Sequence, residues 1–212
     1  MTHKSIVLFG GAFNPPHLGH RIVIEQALEL IPNVDELWLV PCFNHTFQKE
    51  LAPAADRLEM CRLLIKSLGE YMDSPLQNRV KICPIEIDYQ TSGSTYETLK
   101  LLQSEEKYIK QPAKYSFLMG SDQLPQFTQW QNWQTLLKNM HFYVYPRANS
   151  QNEITFPNMT LLESPTQVIT NLSSTLIRRR LQAGLPTHTL LPPPISDYLT
   201  THHPYKSIPH QS

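Results

Sequence analysis

Residues Gly10–His20 read GGAFNPPHLGH and directly follow the apolar run Ser5–Phe9, SIVLF. This pattern predicts a buried strand that ends in a glycine-rich turn, with two histidines three residues apart where a helix begins. Backbone N–H groups in such a turn and at a helix N-terminus bind phosphate groups. His17 and His20 would add imidazole donors at the same end of the strand. The stretch therefore indicates a polyphosphate site.

The stretch does not match two widespread phosphate motifs. Its glycines, Gly10, Gly11 and Gly19, lack the G-x-G-x-x-G spacing of a dinucleotide site, and no Gly-Lys-Ser/Thr of a P-loop follows. His17 and His20 share one helical face at a spacing that also suits a metal ion, but the stretch supplies no third ligand. A polyphosphate explains the histidines and the adjacent glycines together.

A second anion-binding signature lies far downstream, at Leu172–Arg178, LSSTLIR. The hydroxyl groups of Ser173 and Thr175 can donate from the start of a helix, and Arg178 lies one turn further along it. Such hydroxyl groups ordinarily cap the helix, and the run of three arginines that begins at Arg178 is also typical of a solvated face. We assign the second and third arginines to solvent. With the glycine-rich turn, this segment predicts a nucleoside triphosphate held from both sides.

Taken in order along the chain, these motifs resemble those of the nicotinate- and nicotinamide-mononucleotide adenylyltransferases, within the H-x-G-H superfamily of Rossmann-like nucleotidylyltransferases. Further similar segments are GSTYETL at Gly93–Leu99, GSDQL at Gly120–Leu124 with Trp130 and Trp133 behind it, and Pro146–Arg147. The resemblance spans Ser5–Leu199. Ala12 and Asn14 stand where the family usually has Thr and Asp, and the loop Pro41–Leu51 departs from the family's P-P-H-K or P-P-H-R. These departures leave open which pyridine mononucleotide is preferred.

The resemblance implies an enzyme that transfers AMP from ATP to the 5′-phosphate of nicotinate mononucleotide, with Mg²⁺ bridging phosphate oxygens and water and no dedicated protein ligands for the metal. It implies catalytic roles for His17, His20 and Arg178. The residues implied to bind ATP are Gly10, Gly11, Ala12, Phe13, His20, Gly120, Asp122, Ser173, Ser174, Thr175 and Arg178. The residues implied to bind the mononucleotide are Asn44, Lys49, Thr95, Trp130 and Arg147. Among these, Asp122 is also a typical N-cap, Trp130 a typical core residue and Lys49 a typical exposed loop residue.

The chemistry explains why such a site needs few candidate bases. A nucleotide 5′-phosphate is already ionised at neutral pH, so it attacks without a general base or a covalent enzyme intermediate. Catalysis can then come from positioning and from neutralising the charge of the leaving pyrophosphate. The open alternatives are nicotinamide mononucleotide as substrate, a sister transferase for phosphopantetheine or a sugar or glycerol phosphate, and a non-catalytic nucleotide-binding regulator.

The composition favours a cytoplasmic globular enzyme with small-molecule substrates. The 212 residues include 18 basic and 18 acidic side chains, so no nucleic-acid or membrane partner is indicated. Cys42, Cys61 and Cys83 are scattered, which predicts reduced thiols. No apolar stretch is long enough to span a bilayer, and the N-terminus lacks a signal-peptide pattern. A homo-oligomer is compatible with this composition.

Strands and helices are predicted to alternate along the chain. The predicted strands are Ser5–Phe9, Leu37–Val40, Val80–Cys83, Ser116–Met119 and Phe142–Tyr145. The predicted helices are Leu18–Leu30, Ala54–Leu68, Ser94–Leu102, Trp133–Met140 and Ser174–Ala183. This order predicts an α/β, Rossmann-like, doubly wound and mostly parallel sheet with helices on both faces. We expect one domain over residues 1–199 and a flexible tail over residues 200–212.

Three local patterns give further predictions about the caps and the buried face of these helices. Ser94 and Glu97 have the spacing of a capping box. In the helix Ala54–Leu68, an apolar face that begins at Leu58 is predicted to pack against the sheet. Gly184 follows the last of the predicted helices, where a residue in the left-handed conformation is favoured.

Overall fold

A parallel six-stranded sheet forms the centre of the protein. The computed structural model describes residues 3–44, 51–69, 76–108, 112–148, 150 and 152–205. The strands are β1 Lys4–Gly11, β2 Glu36–Pro41, β3 Val80–Ile82, β4 Ala113–Gly120, β5 His141–Tyr145 and β6 Met159–Leu161. Their order in the sheet is β3-β2-β1-β4-β5-β6, and every neighbouring pair is parallel.

Helices connect the strands and cover the sheet. They are α1 Leu18–Leu30, α2 Ala54–Leu68, α3 Leu76–Arg79, α4 Ile85–Asp88, α5 Thr95–Ser104, α6 Trp133–Asn139, α7 Ser174–Gln182 and α8 Pro193–His202. A 3₁₀ helix over Ser121–Gln129 follows β4 directly. Each parallel strand pair requires a crossover connection, which helices supply between β1 and β5, whereas the described residues between β5 and β6 form no helix.

The strand order reverses beside β1. The chain runs outward through β2 and β3 to one edge, then returns to the other side of β1 with β4 and continues through β5 and β6. In an open parallel sheet such a reversal leaves a crevice beyond the carboxyl ends of the two central strands. The glycine-rich turn after β1 and the 3₁₀ helix after β4 both begin at this edge of the sheet.

The sheet is buried on both faces, which explains the uninterrupted apolar run in β1. Val7 and Phe9 point to one face, in a core shared with α1, α2, α7 and α8. Ile6 and Leu8 point to the other, in a core shared with α5 and α6. Successive strand residues alternate between faces, so a strand covered on both sides needs apolar residues throughout. The predicted doubly wound α/β fold is confirmed.

Most predicted elements are present, and the two longest helices, α1 and α2, have the predicted bounds. The sequence analysis missed the 3₁₀ helix Ser121–Gln129, strand β6 and helix α8. The first contains Pro125, and β6 has only three residues, so neither carries a strong periodic pattern. Gly184 has a φ of +67°, as predicted for the end of α7.

The expectation of a flexible tail from Thr200 is wrong for its described part. Helix α8 continues to His202, and the Tyr205 side chain is only 7% exposed in the core that contains Ile195 and Leu199. Burial of this aromatic ring anchors the chain beyond the helix. Residues 206–212 lie outside the described part of the chain.

The predicted capping box at α5 is also wrong. Ser94 is the N-cap residue, but its side chain makes no capping hydrogen bond, and its Oγ is buried without a partner among the described residues. Glu97 instead accepts from the backbone N–H and the hydroxyl of Ser92, at 3.1 and 2.9 Å. The carboxylate is therefore bound before the helix, and the first-turn N–H groups of α5 are not capped by Ser94.

The cysteines are free thiols, as predicted. Burial raises the pKa of Cys42 to about 11 and that of Cys83 to about 12, so both stay protonated and unreactive at neutral pH. Among the described residues, no helix has the length and apolar character needed to cross a bilayer.

Candidate active site

The glycine-rich turn after β1 holds its backbone in a strained conformation. Phe13 has a φ of 47°, which is rare for a side chain with a Cβ, and is only 1% exposed. Its ring lies 5.1 Å from the ring of His20 and 5.7 Å from that of Phe9, measured between centroids. Such strain persists where packing enforces it, and it is typical of functional sites.

His17 and His20 form a stacked pair at the start of α1. Their ring centroids are 3.8 Å apart with planes inclined by 32°. The backbone N–H of His17, the N-cap residue, donates to Nδ1 of His20 at 3.1 Å. A backbone N–H can only donate, so this Nδ1 carries a lone pair, and a neutral His20 has its proton on Nε2. Capping the helix therefore leaves His20 with an N–H donor for a ligand.

The glycine within the H-x-G-H motif has a steric role. A Cβ on Gly19 would lie only 2.9 Å from Nδ1 of His17. His17 is 3% exposed, so its ring has little room to move away. Gly19 thus leaves room for the His17 imidazole over the start of α1, where it contacts the His20 imidazole.

Burial keeps both imidazoles neutral. Burial lowers the pKa of His20 to about 3, and the positive charge of Arg147 is the second, smaller cause. The residue is nevertheless partly exposed. Burial also lowers the pKa of His17, with His20 and then Arg147 contributing. Nδ1 of His17 is buried without a hydrogen-bond partner among the described residues. Neutral rings can stack at 3.8 Å without charge repulsion.

The second anion-binding segment lies directly against the first. Arg178 Nη1 donates to the carbonyl oxygen of Asn14 at 2.8 Å, and its Nη2 donates to Thr175 Oγ1 at 3.4 Å. Ser174 Oγ donates to the carbonyl oxygen of Pro15 at 2.8 Å. Ser173 caps α7 by accepting from the N–H of Leu176 at 3.2 Å. The fold therefore brings the two segments, about 160 residues apart in sequence, to one place.

The segment after β5 supplies a further cation. Arg147 Nη2 donates to the carbonyl oxygen of Leu172 at 3.0 Å, and its Nε lies 3.9 Å from Oδ1 of the half-exposed Asp122. Its backbone N–H donates to Ser121 Oγ at 2.9 Å. Arg147 also contributes to the lowered pKa values of both histidines, so it lies beside the predicted triphosphate site. Its predicted contact with the mononucleotide stays a prediction.

The other residues predicted to bind the mononucleotide are more dispersed. Thr95 is the first residue of α5, and Trp130 follows the 3₁₀ helix, half-buried and edge-on to Phe117 at 5.8 Å between centroids. Asn44 is exposed, and Lys49 lies outside the described residues. Trp130 packs against the core shared with α5 and α6, across the sheet from α7.

Sequence reasoning missed two residues that hold the turn after β1. Arg57 is 1% exposed; its Nε donates to the carbonyl oxygen of Ala52 at 3.0 Å, and its Nη1 to those of Ala12 at 3.1 Å and Cys42 at 2.7 Å. Asn14 Oδ1 accepts from the N–H of Ala52 at 3.0 Å. Both ends of the loop after β2 are thus tied to the glycine-rich turn.

A signal for Arg57 was present in the sequence. The buried face of α2 contains Arg57, Met60, Cys61 and Leu64, whereas Leu58, which was predicted to begin that face, is only half-buried. Arg57 precedes these apolar residues by about one turn and lies on the same face of the helix, so its side chain points to the core rather than to solvent. Its position indicates a buried cation that needs several acceptors.

Comparison with known proteins identifies the family of this chain. The family model described as cytidylyltransferase-like matches residues 8–180, which include both anion-binding segments. The chain therefore belongs to the cytidylyltransferase-like family, and the nucleotidylyltransferase resemblance of the motifs is confirmed.

Individual relatives are similar to this chain over nearly its whole length. The chain is 31% identical over 207 residues to a protein named "probable nicotinate-nucleotide adenylyltransferase" from Anaeromyxobacter dehalogenans, with 96% of this chain and 97% of the relative covered. It is 28% identical to a protein of the same name from Flavobacterium johnsoniae, with 95% and 98% covered. The structure of Plasmodium falciparum nicotinic acid mononucleotide adenylyltransferase complexed with NaAD superposes with a TM-score of 0.77 at 21% identity, covering 96% of this chain and 98% of that one.

The histidine pair yields a prediction about protonation. We expect His20 to remain the Nε2–H tautomer, with Nδ1 unprotonated, as the pH falls from neutral to about 5, because burial disfavours the charged ring. Nitrogen-detected NMR of the imidazoles measures this, and the exposed histidines serve as an internal reference. A titration midpoint for His20 near its ordinary value would contradict the assigned tautomer and burial.

Proposed function

We propose that this protein transfers the adenylyl group of ATP to the 5′-phosphate of nicotinate mononucleotide, which gives deamido-NAD and pyrophosphate. A phosphate oxygen of the mononucleotide attacks the α-phosphorus of ATP, and the bond to the β-phosphate breaks. The observation that carries the proposal is the junction of the two anion-binding segments, where Arg178 donates to the backbone of Asn14 beside His17 and His20. The junction lies at the strand-order reversal, where such folds bind nucleotides.

The donors at this junction suit a leaving pyrophosphate. His20 offers Nε2–H, and Arg178 and Arg147 offer guanidinium groups that are already fixed to backbone carbonyls. Donors held in place before the reaction stabilise developing charge without reorganising. No general base is required, because the attacking phosphate is already ionised. Neutral imidazoles are consistent with a role as hydrogen-bond donors.

A magnesium ion would enter this site together with ATP. The side chains that surround the junction are imidazoles and guanidinium groups, whereas Mg²⁺ prefers oxygen ligands. Within the described ranges, no group of three or more His, Cys, Asp or Glu side chains could hold a metal. This donor set fits an ion bound through phosphate oxygens and water. When bound, it would neutralise part of the triphosphate charge.

The names of the relatives and the start of α5 support the acid form of the mononucleotide. The first-turn N–H groups of α5, at Thr95, are not capped by the Ser94 side chain and present the positive end of the helix dipole. A carboxylate accepts from such donors, whereas a carboxamide would also face them with its own NH₂ group. The half-buried Trp130 would supply an aromatic face for the cationic pyridine ring.

The first test concerns His20. We expect His20→Ala and His20→Asn each to lower kcat by about a hundredfold or more, the scale for loss of one preorganised donor. The Asn variant keeps an acceptor for the His17 N–H, so its Tm should stay near that of the wild type. Steady-state pyrophosphate release and thermal unfolding give the two readouts. Near-normal turnover of folded His20→Asn would refute the role of Nε2.

The second test compares neighbouring arginines on α7. Arg178→Ala should lower kcat/KM for ATP roughly ten- to hundredfold, because it removes a charged donor fixed at the junction. Arg179→Ala is the matched control: this exposed residue points about 100° away around the helix, and its loss should change kcat/KM less than about twofold. Equal losses would indicate a general effect of positive charge rather than a directed contact.

The third test decides the substrate. At saturating ATP and Mg²⁺, kcat/KM for nicotinate mononucleotide should exceed that for nicotinamide mononucleotide by about tenfold or more, since an unpaired polar group costs about 1–3 kcal/mol and about 1.4 kcal/mol corresponds to a factor of ten. Preference for the amide would overturn acid specificity and leave adenylyl transfer intact. Absence of pyrophosphate release with either compound would refute the proposed function.

A further inference from the structure

The segment that leads into α7 is held by its backbone rather than by its own side chains. After the buried Leu162, none of residues 163–171 is buried, and Val168 and Ile169 are 49% and 46% exposed. A segment with so few buried apolar contacts has little local stability of its own. It nevertheless runs directly into Ser173, the N-cap residue of the helix proposed to bind ATP, so its conformation bears on that helix start.

Two side chains from other elements fix the backbone of Val168. The hydroxyl of Tyr145, the last residue of β5, donates to the Val168 carbonyl at 2.6 Å, and the Val168 N–H donates to Gln26 Oε1 of α1 at 3.2 Å. The same hydroxyl also donates to Gln26 Oε1 at 2.5 Å, so two acceptors share its single proton. We call these three contacts the Gln26–Tyr145 clip, which binds both polar backbone groups of Val168.

The other end of the segment is bound by a residue of the proposed site. Arg147 Nη2 donates to the carbonyl of Leu172 at 3.0 Å, and the Leu172 N–H donates to Thr170 Oγ1 at 2.8 Å. The end of β5 therefore binds the segment twice, through Tyr145 at Val168 and through Arg147 at Leu172. Arg147 fixes the end next to α7, and the Gln26–Tyr145 clip fixes the end further from it.

The clip does more than satisfy a buried hydroxyl group. Tyr145 is 2% exposed, and a single acceptor, Gln26 Oε1, would be enough for its O–H. The further contacts with Val168 join this pair to the segment before α7. Gln26 belongs to α1, which has His20 in its first turn, so the clip connects the two helices whose first turns form the proposed ATP site.

We propose that Gln26 and Tyr145 are positioning residues for ATP, which bind the backbone of Val168 and so hold the segment 163–172 where the start of α7 can receive the triphosphate. The identity of the ligand rests on the proposed function, whereas the clip rests on its hydrogen bonds alone. Both side chains act through the segment and not on the reacting atoms. Without the clip, fewer molecules have the segment in place, and the apparent affinity for ATP falls by that fraction.

Direct binding of ATP tests this proposal. Calorimetry with ATP and Mg²⁺, in the absence of the mononucleotide, measures Kd without adenylyl transfer. Gln26→Met keeps the length of the side chain and removes the acceptor, and Tyr145→Phe removes the hydroxyl donor. Each variant should raise Kd for ATP about fivefold, the scale for loss of one hydrogen-bond partner, while KM for the mononucleotide changes less than about twofold. An unchanged Kd in both folded variants would overturn the proposal.

Three further variants separate the clip from a general loss of stability. Gln26→Glu keeps an acceptor oxygen and should bind ATP within about twofold of the wild type. Glu29→Met places the same side chain at an exposed position of α1, and Tyr143→Phe removes a hydroxyl from the same face of β5; both should match the wild type. Equal increases of Kd in Gln26→Met and Glu29→Met, or in Gln26→Met and Gln26→Glu, would contradict a positioning role.

Amide hydrogen exchange tests the clip without a ligand. The Val168 N–H should exchange faster in Gln26→Met than in the wild type, and Gln26→Glu should restore the slower rate. Equal rates in wild type and Gln26→Met would refute the clip. Faster exchange with an unchanged Kd for ATP would refute the positioning role. If the clip variants weaken ATP binding but the wild type releases no pyrophosphate with either mononucleotide, the proposed function fails and the inference about ATP binding stands.

Discussion

A buried guanidinium group organises the backbone around the proposed active site. Arg57 donates to carbonyls from the glycine-rich turn, from Cys42 just after β2 and from Ala52 two residues before α2, all within 3.1 Å. An arginine has five donors in a rigid plane, so one side chain can hold together several backbone segments that are separate in the sequence. Removing it would leave three buried carbonyls to find new partners, at about 1–3 kcal/mol each.

The glycine-rich turn lies between this cation and a second one. Asn14 accepts from the Ala52 N–H through its side chain and from Arg178 through its carbonyl. Substituting Asn for the family's usual Asp keeps the acceptor oxygen and removes a negative charge from a site proposed to hold a triphosphate. The turn, the loop after β2 and α7 therefore share one residue, and a shift at the turn would be felt by both segments proposed to bind substrate.

The proposed site combines neutral histidines with positively charged arginines. His17 and His20 are kept neutral by burial, which lets their rings stack and leaves a defined N–H on His20. The permanent positive charge comes from Arg147 and Arg178, each already bound to a backbone carbonyl. In the proposed reaction, such an arrangement would stabilise the charge of a leaving pyrophosphate by position rather than by proton transfer, which suits adenylyl transfer to an ionised phosphate.

The sequence by itself determined the class of fold and the bounds of α1 and α2, and it predicted the two anion-binding segments, because periodicity, glycine turns and helix starts are local properties of neighbouring residues. The tertiary structure alone decided which distant groups meet. Arg178 contacts a carbonyl 164 residues away, and Arg57 contacts one 45 residues away. The capping box predicted at α5 does not form, because the Glu97 carboxylate accepts from Ser92 instead. Contacts between a side chain and remote backbone depend on the packed arrangement of whole elements, which no local pattern encodes.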